Sequence, residues 1–555
     1  MMVGPLYPIS MTPVVPGDRF SVDVSALIKT LPLRAPVMQG MDVIVEMFFA
    51  PTRLYVQELF NNETNYDPSK VLLPRFTEPN IQGLKRDSAG SPNSLAAGVY
   101  SYMVQPNSLL SFCGFPIGYV PYTDTDDVSI LSRFNAEKAL AYIDIVRNYY
   151  ASSQRSDISM ADFTPVRVSE DQPVQYWRQK TMDRATLDNI FTNVRQGVTK
   201  IFSSTDWIQL CTRNSYLFCR THVPTRLDSW LSKSGYDSLA GSVSVSAEDG
   251  NVLMTDIRFG SHELRYKELL LAGNRQYDDF LGAQFDVRVP RDLTIPMYLG
   301  SAKGGFSVGE ITQTSADPTG TQPLGDLAGS GNGGLRSGRR TFTFNEYGTF
   351  VVMFSLRPRN MQFQGIEPEL LETTMASKMI PALDRSMFTG LLEAEQNALP
   401  SIRSINPDGQ VLPRYKSPGQ TAFDQSAGYQ PIYSEYSSRE SRLLGNLATT
   451  LRYWSFARYY GAQNTLYPEG VIEKMSEEIK TAMGADRWDA CSEAVLGTIL
   501  NNAFLGPSNS PYINPLHYNQ CFTASGPQDE NIIYQASIDI RARREKSKLN
   551  IPNML

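Results

Sequence analysis

The chain has 555 residues, 41% hydrophobic and 19% charged, with a formal net charge of −6. That is enough apolar residue for a sizeable core, and an acidic balance that excludes a protein coating nucleic acid over its whole surface. Thirty-five Pro, 39 Gly and 28 Tyr favour a β-rich, loop-rich architecture over a helical one. The five cysteines, 113, 211, 219, 491 and 521, are odd in number and never spaced as CxxC, so reduced buried thiols are expected rather than a disulfide framework or zinc site. No charged segment precedes an apolar one in the manner of a signal peptide, and no run approaches the ~18 apolar residues of a membrane span. The chain reads as cytosolic when made.

Residues 1–16 hold four prolines and little charge, and predict an extended arm unable to donate regularly to a sheet. From 20 to 25, Phe20, Val22 and Val24 alternate with Ser21, Asp23 and Ser25, which is the period of a strand with one buried face. A Pro-punctuated loop leads to 43–49, β-branched and aromatic with only Glu46 charged, which predicts a strand buried more completely. Two such strands with a long loop between them suggest a β-sandwich rather than a βαβ unit. Leu54, Leu59 and Phe60 begin a short helical pattern.

Residues 61–98 read as loop, and 108–121 as a packed irregular segment interrupted by Gly114, Pro116 and Gly118. The clearest helix lies within 132–150, where Phe134, Leu140, Ile145 and Tyr149 share a face. The composition turns polar over 151–205, read as an insertion, helical in part near 183–200. Residues 211–230 hold a strand and a turn, and 253–285 is helical in pattern. Thr341, Phe342, Thr343 and Phe344 alternate, 349–356 is a β-branched and aromatic run, and Asn345-Glu346-Tyr347-Gly348 between them predicts a hairpin turn. After 400 a Pro-rich surface segment leads to amphipathic helices over 471–483 and 488–504, then a last strand and a basic tail.

Several of these stretches carry a resemblance. PGDRF, a Pro-rich loop ending in APVM and a hydrophobic strand running into FFAPTRL resemble the N-terminal signature of microvirus major capsid proteins, most of all the gokushovirus-like branch. GFPIGYVP followed by SRFNAEKALAYIDIVRNYY, RTHVPTRLDSWL, MYLGSAKGGFSVGEITQTS, FNEYGTFVVMFSLRPRNMQFQGIEP and GYQPIYSEY continue it in order, with Tyr347 standing where the family pattern has His. The resemblance implies the shell subunit of a small icosahedral single-stranded DNA phage. The fold implied is mainly β, a single eight-stranded antiparallel jelly-roll barrel with long loop insertions containing helices, spanning 17–540 between the arm at 1–16 and a tail at 541–555. It further implies that 151–205 projects outward from the shell. The partners implied are other copies of the chain, packaged single-stranded DNA, a minor virion protein (DNA pilot protein), an internal scaffolding protein and a host surface receptor. The location implied is the virion, assembled in the host bacterial cytoplasm.

No constellation of catalytic groups stands out. His222, His262 and His517 are scattered, and packing or hydrogen bonding explains each. Asp124, Asp126 and Asp127 lack the Gly and terminal Glu of an EF-hand loop and read as a solvated acidic turn. The segment 329–334, GSGNGG, fits GxGxxG literally but lacks the βαβ setting, and reads as a flexible loop. No catalytic, cofactor or metal residues are assigned. The remaining candidate site is charge: Arg541, Arg543, Arg544, Lys546 and Lys548 stand against one acid, Glu545, and predict a local phosphate-binding tail, with Arg336, Arg339 and Arg340 a smaller second cluster. The alternative from another class is a carbohydrate-binding or glycan-cleaving β-sandwich, which would bring two carboxylates together among aromatic platforms.

Overall fold

In the computed structural model the described residues are 1–64, 66–68, 70–76, 103–104, 106–119, 134–150, 157–161, 165–166, 176–177, 180–202, 217–218, 276–312, 327–359, 389–393, 426–431, 451–456, 521–523, 530–544 and a few isolated positions. The helical patterns of 471–483 and 488–504, and the acidic turn at 124–127, lie outside them, as do the three histidines.

One large antiparallel sheet dominates, forming a half-barrel. Its strands are β1 (Tyr7–Val14), β2 (Arg19–Thr30), β3 (Met41–Pro51), β4 (Met297–Thr312), β5 (Leu327–Arg336), β6 (Arg340–Thr343), β7 (Gly348–Pro358) and β8 (Ile532–Arg543). Across the sheet the order is β1, β7, β3, β4, β5, β2, with β6 also on β2, and β8 pairing β2 besides. β5 covers 25–29 of β2 and β6 covers 19–22, while β8 runs along all of β2 from Arg19 to Thr30. β5 and β6 therefore share one lane, so the described sheet has fewer lanes than strands. At one end its two edges meet where Met1 and Ile532 exchange backbone hydrogen bonds of 2.7 and 3.3 Å.

The period-2 pattern explains the faces. Phe20, Val22, Val24 and Ile28 are buried with Ser21, Asp23 and Ser25 half-buried on the other side, as their alternation requires. Phe49 and Phe350 are direct partners, and both meet Phe344, which also packs on Phe20 at 5.2 Å. This aromatic knot lies on the sheet's inner face. The neighbouring residue points the other way: Phe48 packs on Tyr149, Tyr150 and Tyr298 at 5.0, 6.2 and 5.4 Å. The first two rings come from the C-terminal end of a helix that covers the outer face. β3 and β7 are thus sandwiched on both sides, which is why all their residues but Glu46 and Arg357 are buried.

That covering helix is α3 (Glu137–Tyr149). Before it come α1 (Gln57–Asn61), after a 3₁₀ turn at Thr52–Tyr55, and α2 (Leu109–Cys113). After it come α4 (Arg184–Arg195) and α5 (Tyr277–Phe285). α4 sends Leu187, Ile190, Phe191 and Val194 into the core, so this helix belongs to the body of the protein.

Four expectations need correction. Residues 1–16 are extended but paired: β1 runs along β7, and Met1, Met2 and Val3 are buried. Its prolines are tolerated because β1 pairs with β7 alone among the described strands, and because the register shifts between Pro8 and Ser10. The glycine-rich 329–334 is part of strand β5, not a flexible loop. Phe306 lies across it, and a Cβ on Gly331 would come within 2.3 Å of that ring, so glycine is required for packing. Residues 345–348 do not make a hairpin, since β6 pairs β2 and β7 pairs β1 and β3. Finally, 109–113 is a helical turn, capped by Ser108, whose Oγ accepts from the Ser111 N–H, and closed by Gly114 at φ +107°.

Truncating Phe48 to Ala should open a cavity between sheet and α3 and cost about 3–5 kcal/mol in urea unfolding. Phe48→Leu should cost far less. An unchanged midpoint for the alanine variant would remove this packing from the account.

Candidate nucleic-acid interface

The chain enters β2 through Val15-Pro16-Gly17-Asp18. Asp18 N–H donates to the Val15 carbonyl at 3.0 Å, and Gly17 holds φ +82°, so Pro and Gly occupy the two central positions of a type II turn. The PGD of the PGDRF motif is this turn. It aims Asp18 at the far end of β8, where the Arg544 guanidinium donates to both carboxylate oxygens, at 2.9 and 2.6 Å for the shortest contacts. Arg544 also donates to the Pro13 carbonyl at 3.2 Å. Asp18 is buried, so Arg544 is a clamp between β8 and the β1–β2 turn rather than a free cation.

The other predicted cations fall into place around the same end of β2. Arg541 and Arg543 are not in a tail: both belong to β8, in register with Ser21 and Arg19, and both are exposed. The reason is the unbroken alternation of Tyr534, Ala536, Ile538 and Ile540, which extends the strand to Arg543 and packs these four against the core. Arg336, at the end of β5, pairs with Asp23 at 3.1 Å. Arg339 pairs with Asp539 at 2.7 Å, and Arg541 reaches the same carboxylate at 3.4 Å. Two clusters separated by about two hundred positions in the chain therefore meet through Asp539. Arg340 differs from its neighbours: its guanidinium crosses Gly300 and donates to the Ser301 carbonyl at 2.8 Å, tying β6 to β4. Lys546 and Lys548 lie outside the described residues.

Sequence reading missed Arg19. It sits directly opposite Arg543 in the β2–β8 register, and both are exposed. Like charges facing one another across strands repel, and a bound anion would relieve them. The signal was present in PGDRF, but only the pairing of residues 19 and 543 makes it meaningful. Arg19, Arg336, Arg339, Arg541 and Arg543 thus form a cationic rim on the solvent side of the sheet, with Asp23 and Asp539 offsetting only part of it.

Behind this rim the charges are of another kind. Arg53, just after β3, and Glu346, between β6 and β7, are both 1% exposed and form a bidentate pair at 2.9 and 3.1 Å. Burial raises the Glu346 carboxyl above its ordinary range, and the Arg53 guanidinium pulls it back in part. A second cluster joins α3 to α4. Asp144 is buried and accepts from the Tyr55 hydroxyl at 3.2 Å and Asn148 Nδ2 at 2.8 Å, with Arg147 3.7 Å away. Arg147 is committed more closely to Asp188 of α4, at 2.6 Å. Neither cluster contains a nucleophile beside a base, and both are structural. Among the described residues, no group of three or more His, Cys, Asp and Glu could hold a metal ion, and no helix is long and apolar enough to cross a membrane.

Comparison with known proteins adds one finding. The family model described as phage capsid protein (F protein) matches residues 1–99, the part of the chain that supplies β1, β2, β3 and α1. It agrees with the resemblance to microvirus major capsid proteins carried by PGDRF and FFAPTRL. No curated protein matches the chain.

Burial lifts the Asp144 carboxyl from its ordinary 3.8 to about 6, so the folded chain holds this proton more tightly than the unfolded one. The resulting stabilisation is fully present below about pH 4 and is lost as pH rises through 6. Between those values wild type should lose up to about 3 kcal/mol that Asp144→Asn does not lose. Parallel stability-versus-pH curves for the two proteins would show that Asp144 is ionised normally.

Proposed function

We propose that this chain is the major capsid protein of a small icosahedral phage. In this reading it self-associates into a closed shell around a circular single-stranded DNA genome. The observation that carries the reading is the capsid-family match over 1–99, which falls on β1, β2 and β3, three of the eight strands of the sheet. A large, mainly β body with buried central strands and long connections suits a shell subunit, where a rigid scaffold presents its loops to neighbouring copies. The fold we assign is a single jelly-roll barrel, of which the described half-barrel is the larger part. The role is structural rather than enzymatic, and the place of action is the virion, assembled in the bacterial cytoplasm.

The arginine rim at the end of β2 is the proposed contact with packaged DNA. Clustered guanidinium groups neutralise phosphates and release counterions without reading sequence, which is what a genome of mixed sequence requires. The 151–205 excursion is assigned to the outer surface, where the host receptor would be met. A DNA pilot protein and an internal scaffolding protein are the other partners this role calls for.

Electron microscopy and sedimentation of the expressed chain test the reading. Closed particles or capsomers are expected, whereas a monomer under all assembly conditions would overturn it. Reversing Arg19, Arg541 and Arg543 to Glu, with Arg544 left in its clamp, should preserve melting while lowering DNA retention and flattening its salt dependence by about one unit of slope per lost contact. Full DNA retention at every salt concentration would show the rim to be ordinary surface.

A further inference from the structure

A cleft of about 410 Å³ opens between the loop before β3 and the middle of β4, lined among others by Met38, Gln39, Phe306, Ser307, Val308 and Arg359. Its chemistry is one-sided. Gln39 is 4% exposed, and its Oε1 accepts from the Phe456 N–H at 2.9 Å, but its Nε2 is buried without a hydrogen-bond partner among the described residues. An unsatisfied buried amide is costly, and groups of this kind mark sites that are completed by something else. Arg359 reaches in from the other side. Its Nε donates to Asp42 Oδ1 at 3.2 Å, and its side chain is 63% exposed. Asp42 also takes the Lys303 ammonium, at 2.7 Å. Burial works against the charge on Asp42, but Lys303 and Arg359 outweigh it and hold the carboxyl below its usual range. Among the described residues, Lys303 and Arg359 share the one carboxylate of Asp42, so the Arg359 side of the cleft carries one positive charge in excess. Beside these donors stands Met38, 84% exposed at the rim of the cleft.

We infer that this cleft receives a carboxylate side chain from a second copy of this chain, the acid entering between the Gln39 amide and the Arg359 guanidinium while the backbone that bears it packs on Met38. The inference rests on the self-association proposed above. The unpaired Gln39 amide donor and the exposed Arg359 guanidinium call for an acceptor-rich group, and the excess charge calls for an anion. A free ion would leave Met38 uncovered, whereas an acid carried on a polypeptide covers it. Second copies suit the charge, because the chain carries 57 acidic residues against 51 basic ones.

Assembly of wild type, Arg359→Ala and Arg359→Lys, followed by light scattering against protein concentration, supplies the first readout. Arg359→Ala should raise the concentration needed for assembly roughly tenfold or more, and Arg359→Lys should restore most of it. Circular dichroism of the unassembled subunit should be unchanged, since Arg359 is exposed. The second readout uses Arg359→Lys in particles mixed from ¹⁴N- and ¹⁵N-labelled chains and treated with a carbodiimide, which joins the new amine to an adjacent carboxyl with loss of water. Cross-linked peptides pairing light with heavy chains at residue 359 are expected, and coupling to Asp42 within one chain will show as unmixed isotopes. If wild type assembles but Arg359→Ala assembles at the same concentration and no mixed-isotope cross-link forms, the cleft assignment falls while the capsid reading stands. If wild type does not assemble at all, both fall together.

Discussion

The salt bridge between Arg53 and Glu346 is the constraint on which the rest of this structure depends. Both side chains are out of water, and neither would be tolerated there alone. Besides the bidentate contact, Arg53 donates to the Pro290 and Leu293 carbonyls at 3.2 and 3.0 Å. One guanidinium therefore fixes three separate pieces of chain: the exit from β3, the connection between β6 and β7, and the loop that leads into β4. Thr52 N–H adds a backbone bond to the Tyr347 carbonyl at 2.9 Å alongside it. Arg53 comes from FFAPTRL, inside the capsid-family match over 1–99, and Glu346 from FNEYG, 293 positions further on.

The consequence is a scaffold whose central strands cannot shift. β3 and β7 are buried on both faces, with the aromatic knot of Phe20, Phe49, Phe344 and Phe350 within and α3 without. Apart from the two buried clusters, the polar chemistry lies at the periphery: the arginine rim where β2, β6 and β8 end, and the cleft beside β4. Under the proposed function, this rigid body would present its edges to copies of itself, and the rim would supply the local, sequence-independent hold on phosphate.

Legibility in the sequence followed the physics of each element. β2 and β3 were readable because alternation and a continuous apolar run each have one simple meaning, and α3 because its apolar residues recur at helical spacing. β1 was misread because four prolines argue against a central strand, and nothing local says that this strand pairs on one side only. β5 was misread because glycines have no pattern, and their purpose lies in the Phe306 ring of another strand. Most of the rim was readable: Arg541 and Arg543 stand out as a charge run and Arg336 and Arg339 as a smaller cluster, but Arg19 acquires its meaning only from a partner at the far end of the chain. Arg53 and Glu346 were unreadable, since single charges 293 positions apart carry no mark of being buried together. Ser108 and Gly114, by contrast, were available signals for α2 that went unused.

A double-mutant cycle on Arg53 and Glu346, read by urea unfolding of the subunit, tests the clamp most directly. Arg53→Met and Glu346→Leu should each cost about 3–5 kcal/mol, because each strands a buried charge, while the double variant should lose far less than their sum. Strictly additive losses, or single variants within about 1 kcal/mol of wild type, would contradict the claim that this pair holds the sheet to its connections.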